Sequence, residues 1–165
     1  ESQRRDIKMN NNTLVAYFSK GGASEEYAKT IAETLSNNKI KVTTINLAEK
    51  IPDTTEFDVI VLGTGVRMFH VYRRWKKILK QKNLNDKKLF MFLSSGMAIE
   101  DPDKAVERFL QPIVKKYDIK PIDLVSFPGK IPEKWTKYDD FQKEEMNPEL
   151  AKSWAEEISK QILDQ

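Results

Sequence analysis

The stretch Leu14-Val15-Ala16-Tyr17-Phe18-Ser19-Lys20-Gly21-Gly22-Ala23-Ser24 constrains the fold of this chain more than any other. An apolar run ends abruptly in serine and glycine, and a helical pattern begins at once. Tyr27, Ala28, Ile31, Ala32 and Leu35 recur on one helical face. Strand, tight bend and helix N-terminus therefore follow one another without a spacer. Such a bend presents backbone N–H groups, and the helix dipole adds partial positive charge. A phosphate suits that place. Gly21 and Gly22 permit close backbone approach, and Ser19 and Ser24 carry hydroxyl donors. The same residues also suit an ordinary βα turn with Ser24 as N-cap.

The pattern after that bend predicts an alternating α/β chain. Residues 1–12 read as a flexible leader and 13–18 as the first strand, with Met9 a candidate natural start. The first helix covers 23–35 and is stopped by Ser36-Asn37-Asn38. Residues 40–47 alternate as a half-polar edge strand, and 48–56 form a loop. Residues 58–63 and 89–93 are nearly continuous apolar runs, as in parallel strands buried on both faces. Between them, 70–82 form a helix whose apolar stripe is Val71, Trp75, Ile78 and Leu79. Asp101-Pro102 starts a helix with Ala105, Val106, Phe109, Leu110, Ile113 and Val114 inward. A fifth strand covers 122–127. After a connection over 128–147, Asn147-Pro148 starts a last helix whose stripe is Leu150, Ala151, Trp154, Ile158 and Ile162.

This alternation implies a mainly parallel sheet with helices on both faces. Five strands suit the doubly wound order 2-1-3-4-5. Ligands in such sheets bind beyond the carboxyl ends of the strands, at the switch between the first and third. Three bends should meet there: 19–24, 64–70 and 94–99. Gly63, Gly65 and Gly96 lie beside strand ends, where either close approach or plain turn chemistry uses them.

Composition narrows the chemistry. The chain has no cysteine and one histidine, which excludes disulfides, thiolate metal sites, cysteine nucleophiles and histidine-rich metal clusters. A cysteine-free chain fits a cytoplasmic protein. Residues 1–8 are polar and lack a signal-peptide core, and no apolar run approaches membrane-spanning length. The dinucleotide fingerprint and the Walker loop are both missing, and the places of receiver-domain carboxylates hold Ser19-Lys20 and Gly63-Thr64. From Arg73 to Lys88, eight Lys or Arg against Asp86 alone leave +7 there and −4 on the remainder of a +3 chain. That basic stretch can steer an acidic partner, bind nucleic acid, touch an anionic membrane or remain a solvated helix face.

Over residues 13–163 the sequence resembles flavodoxins and flavodoxin-like FMN proteins. Leu14 to Ser24 is similar to their phosphate loop. Gly63-Thr64-Gly65-Val66-Arg67-Met68-Phe69-His70 resembles the flavin-edge loop of the protoporphyrinogen-dehydrogenase-like branch. The resemblance implies a single flavodoxin-like three-layer domain over 13–165 that binds FMN. Ser19, Gly21, Gly22, Ala23 and Ser24 would hold the phosphate, with Lys20 at the rim. Thr64, Gly65, Val66 and Arg67, with Ser94, Ser95, Gly96 and Met97, would line the ring edges. Met68 and Phe69 would lie beside the ring.

Many flavodoxins sandwich the ring between Trp and Tyr. Here the bends offer Met68, Phe69 and Met97, and His70, Trp135 and Tyr138 are candidates for covering the ring or facing a substrate. Arg67 and His70 serve either as surface and helix-start residues or as groups beside the flavin. Many flavodoxins are also strongly acidic. This chain is not, and fewer acids around the ring should ease flavin reduction. The implied role is electron transfer with redox partners and no nucleic acid. An FMN-dependent oxidoreductase acting on a porphyrinogen or a quinone is the alternative, and a basic interaction module ranks last.

Overall fold

The computed structural model describes residues 11–19, 22–65, 69–82, 84–95, 98, 101–129 and 146–164. Most of the expected leader lies outside them. Strands β1 (Thr13–Tyr17), β2 (Val42–Asn46), β3 (Val59–Gly65), β4 (Lys88–Ser95) and β5 (Asp123–Pro128) form one parallel sheet in the order β2-β1-β3-β4-β5. This is the expected doubly wound order.

Period-two alternation divides the strand side chains between two cores. Leu14, Ala16, Ile60, Leu62, Leu89, Met91 and Leu93 face one side. Trp75, Ile78 and Leu79 of α2 (Phe69–Leu79) pack there, with Ala105 of α3 (Pro102–Ala105) and Ile113 of α4 (Gln111–Tyr117). Val15, Tyr17, Val59, Val61, Phe90 and Phe92 face the other side, against α1 (Ala23–Asn37) and α5 (Pro148–Leu163). The edge strand β2 is partly exposed along its length, as its polar alternation predicts.

The second core is aromatic. Phe92 and Phe127 set ring edges against Trp154 at centroid distances of 6.2 and 5.9 Å. Trp154 Nε1–H donates to Asp123 Oδ2 at 2.8 Å, which ties α5 to the start of β5. Gly63 belongs to this packing and not to a turn. It pairs with Phe92 in register, and a Cβ there would lie 1.9 Å from Phe92 Cζ. The missing side chain is the room that the phenyl ring fills.

Element ends differ from expectation for identifiable reasons. β3 and β4 continue to Gly65 and Ser95 because their ladder persists through Thr64↔Leu93 and Gly65↔Ser94. α1 runs on to Asn37, where Lys39 adopts φ 66°. Lys39 N–H bonds Ser36 O and Ile40 N–H bonds Leu35 O, the reciprocal pair of a Schellman cap. Buried Ile40 thus completes the cap, and β2 starts only at Val42.

α2 stops at Leu79 and not Lys82. Gln81 is committed to the 48–56 loop, accepting from Thr54 N–H and donating to Pro52 O, each at 2.9 Å. The expected helix after Asp101 forms in three pieces, with Val106–Leu110 π-helical between α3 and α4. Pro112 has no N–H and crowds the carbonyl four residues back, and the wider turn relieves that clash. Leu150 and Ile122 do not join the core; they are 44% and 47% exposed. β5 accordingly starts one residue later than expected, at Asp123.

Both ends of the long connection meet one side chain. Tyr27 of α1 donates its hydroxyl hydrogen to Pro128 O, and its oxygen accepts Asn147 N–H at 3.1 Å. Its ring lies 4.9 Å from that of Phe127, which holds the phenol at the end of β5.

Candidate functional site

The carboxyl ends of β1, β3 and β4 lie side by side in the sheet, and the candidate residues gather there. Phe18 N–H donates to Gly63 O, so the chain leaving β1 first stays against β3. At Ser19 it is gripped from the other side. Asn46, the last residue of β2, donates from Nδ2 to Ser19 O at 2.9 Å and accepts Ser19 N–H on Oδ1 at 3.3 Å. The same Oδ1 accepts Ala48 N–H at 3.0 Å.

Ser19 is buried, and its Oγ accepts Gly22 N–H at 2.8 Å. A hydroxyl has one proton and two lone pairs. Accepting from Gly22 therefore leaves the Ser19 O–H free to donate elsewhere. Gly22 is the N-cap of α1 and offers no side-chain cap, so the first-turn N–H groups of the helix have no hydroxyl or carboxylate across them from that position. Ser24 is not the N-cap. It lies inside the first turn, 3% exposed, with Oγ 2.9 Å from Ser94 Oγ. That contact joins the β1 bend to the end of β4. Gly65 completes the cluster, since a Cβ there would lie 3.4 Å from Ser94 Oγ and 3.7 Å from Ser24 Oγ.

Thr64 and Ser95 are buried at the adjoining strand ends. Thr64 Oγ1–H reaches Gly65 O at 3.2 Å, and Ser95 Oγ accepts Ala98 N–H at 3.2 Å. Gly129 continues the ladder past β5 through its N–H to Ser95 O at 3.0 Å. A Cβ there would meet the Ser95 backbone at 3.2 Å. The structure thus brings together Ser19, Gly22, Ala23, Ser24, Thr64, Gly65, Ser94 and Ser95. By backbone, Phe69 and His70 open α2 directly after the second bend. Lys20, Gly21, Val66, Arg67, Met68, Gly96, Met97, Trp135 and Tyr138 lie outside the described residues.

Among the described residues, few groups set the charge at the site. Tyr17 ends β1, and Glu25 lies in the first turn of α1. Burial, then the negative charges of Glu25 and Glu49, push the Tyr17 ionisation above the ordinary 10.0. The phenol therefore stays neutral beside the bend at physiological pH. On α2, Arg73, Lys76, Lys77 and Lys80 are exposed. The basic stretch is smaller than its sequence count. Lys87 Nζ donates to Phe57 O at 2.6 Å, and Lys88 Nζ donates to Gln161 O and Asp164 O at 2.6 and 2.8 Å. Both ammonium groups close the frame and do not extend the cationic face.

Asn46 and Gly129 carry contacts that sequence reasoning missed. In the sequence Asn46 stands out only because no acid is there. A side-chain amide at the carboxyl end of the strand beside β1 is the signal available.

The family described as Flavodoxin domain matches residues 14–150 of this chain. The chain belongs to that flavodoxin family. No curated protein sequence matches it. Among solved structures, Flavodoxin 1 from Bacillus cereus is 16% identical, with a TM-score of 0.64 over 90% of this chain and 97% of that one. The flavodoxin of Streptococcus pneumonia TIGR4 is 17% identical, with a TM-score of 0.62 over 91% and 99%. A point mutant of the Fusobacterium nucleatum flavodoxin, bound to flavin mononucleotide, is 17% identical, with a TM-score of 0.52 over 73% and 71%. At these identities the likeness is one of fold. The flavodoxin assignment rests on the family match, and the parallel order of the sheet agrees with it.

Proposed function

We propose that this flavodoxin-family chain binds FMN beyond the carboxyl ends of β1, β3 and β4 and carries electrons between redox partners. One observation carries the reading. Ser19 is held against the sheet by Asn46, its hydroxyl proton is free, and its Oγ accepts the N–H of Gly22, where α1 starts without a side-chain cap. Donors fixed in this way suit a phosphate monoester. The Fusobacterium neighbour, bound to flavin mononucleotide, supports the same cofactor.

FMN, when bound, supplies one- and two-electron redox chemistry. The chain supplies the seat. Ser19 O–H and the N–H groups of Ala23 and Ser24 face the phosphate. The Ser24–Ser94 contact fixes the distance from that seat to the ring-edge bends. Thr64 and Gly65, with Ser94 and Ser95, border the ring edges through backbone that the β3–β4 ladder holds in place. Gly21, Lys20, Val66, Arg67, Met68, Gly96 and Met97 complete this assignment, and Phe69, His70, Trp135 and Tyr138 are its candidates for flanking the ring.

The exposed cations of α2 lie beyond the second bend and suit an acidic partner. No helix among the described residues is long and apolar enough to cross a membrane, and the proposal sets the exchange in the cytoplasm. The protoporphyrinogen-dehydrogenase-like branch rests on the Gly63–His70 loop, and its oxidoreductase activity on Arg67, His70, an open ring face and the aromatic connection with Trp135 and Tyr138; without a convincing acid–base pair in the sequence, the carrier is preferred.

The test is a titration of flavin-free protein with FMN, followed by flavin fluorescence and visible absorption. The expected result is stoichiometric binding and a yellow protein that keeps its colour through desalting. A protein that stays colourless in excess FMN overturns the reading. Turnover with a porphyrinogen or a quinone in the loaded protein would replace the carrier by the enzyme.

A further inference from the structure

We infer that Asn46 is a positioning residue that gives the β1 bend its preference for a phosphate-bearing ligand. The inference rests on the proposed FMN seat and names a residue of it that touches no ligand. Tyr17 and Asn46 are the last ladder partners of β1 and β2. Leu47 N–H still bonds Tyr17 O at 2.7 Å, after which β2 turns away from the sheet.

At that point the Asn46 side chain takes the place of the departing backbone. A primary amide carries a donor and an acceptor side by side, as a peptide group does. Oδ1 receives Ser19 N–H and Nδ2–H reaches Ser19 O, so Ser19 is paired on both backbone groups as though β2 continued. The Asn46 oxygen is itself held by Ala48 N–H. Ser19 Oγ is thereby fixed where it accepts Gly22 N–H, at the mouth of α1. The chain of contacts runs from Asn46 through Ser19 to Gly22 and the helix start.

Aspartate at this position is isosteric and keeps the Oδ1 acceptor. It turns the Nδ2–H donor into a carboxylate oxygen facing Ser19 O, and it adds negative charge beside the bend. Alanine removes both contacts without adding charge. Riboflavin shares the ring and the ribityl chain of FMN and lacks only the phosphate. A role confined to general stability would weaken both flavins together. A role at the bend weakens FMN alone.

The experiment titrates flavin-free wild type, Asn46→Ala and Asn46→Asp with FMN and with riboflavin, following fluorescence quenching. Amide hydrogen exchange is read in the same flavin-free proteins. The expected result for Asn46→Ala is about a tenfold rise in the FMN dissociation constant with the riboflavin constant unchanged, and a larger rise in FMN alone for Asn46→Asp. Gly22 N–H should exchange about tenfold faster in Asn46→Ala, with Ile31 N–H unchanged.

Wild type that prefers FMN while Asn46→Ala keeps that preference overturns this inference alone. So does an unchanged Gly22 exchange rate. A wild type that binds no FMN, or binds it no better than riboflavin, overturns the phosphate seat itself.

Discussion

Gly63 shows how much a single missing side chain decides. Its absent Cβ is occupied by the ring of Phe92, whose Cζ would lie 1.9 Å from the added carbon. Gly63→Ala should lower stability by roughly 1–3 kcal/mol, the range for overpacking a filled core. A urea melt with an unchanged m-value would check it. Tyr17 supplies a pH dependence. Its ionisation is raised in the folded chain, so above pH 10.0 the unfolded chain loses this proton first and folding becomes less favourable. Stability should fall from that pH up to the folded ionisation point. Tyr17→Phe should remove that part of the slope in urea melts across the alkaline range. The hydroxyls and glycines of the first bend were legible in the sequence because they are contiguous. Asn46 was not, because its partner Ser19 is 27 residues away and the contact exists only once β1 and β2 are paired.

Elements were legible where burial imposes a period and illegible where one side chain ends them. The strands of the sheet's middle show as apolar runs because both their faces are covered. The end of α1 did not show, since Lys39 takes the left-handed place that glycine prefers. Lys39→Gly should therefore stabilise the fold by about 0.5–1 kcal/mol, the strain relieved less the backbone entropy added to the unfolded chain. Thermal melts would read it. The basic stretch misled in a similar way. Lys88 Nζ sits against the last carbonyls of α5 and balances the negative end of its dipole. Lys88→Met should cost about 1–2 kcal/mol and speed amide exchange at the end of α5, because a charged donor to uncapped carbonyls is lost.

At the scale of the molecule, two cores clamp one sheet, and the candidate site lies along one end of it. The layer order was legible because strand and helix patterns alternate and crossover handedness leaves few arrangements. The cationic face of α2 predicts a kinetic signature. Electron exchange with an acidic protein donor should slow as salt rises, and Lys76→Glu with Lys77→Glu should flatten that dependence while FMN affinity is unchanged. Stopped-flow mixing at increasing ionic strength would read it. The phenol of Tyr27 has a different consequence. It pins the departure point at Pro128 and the return point at Asn147 with a single oxygen. That hydroxyl works as a hinge pin, and Tyr27→Phe would loosen both anchor points in one stroke.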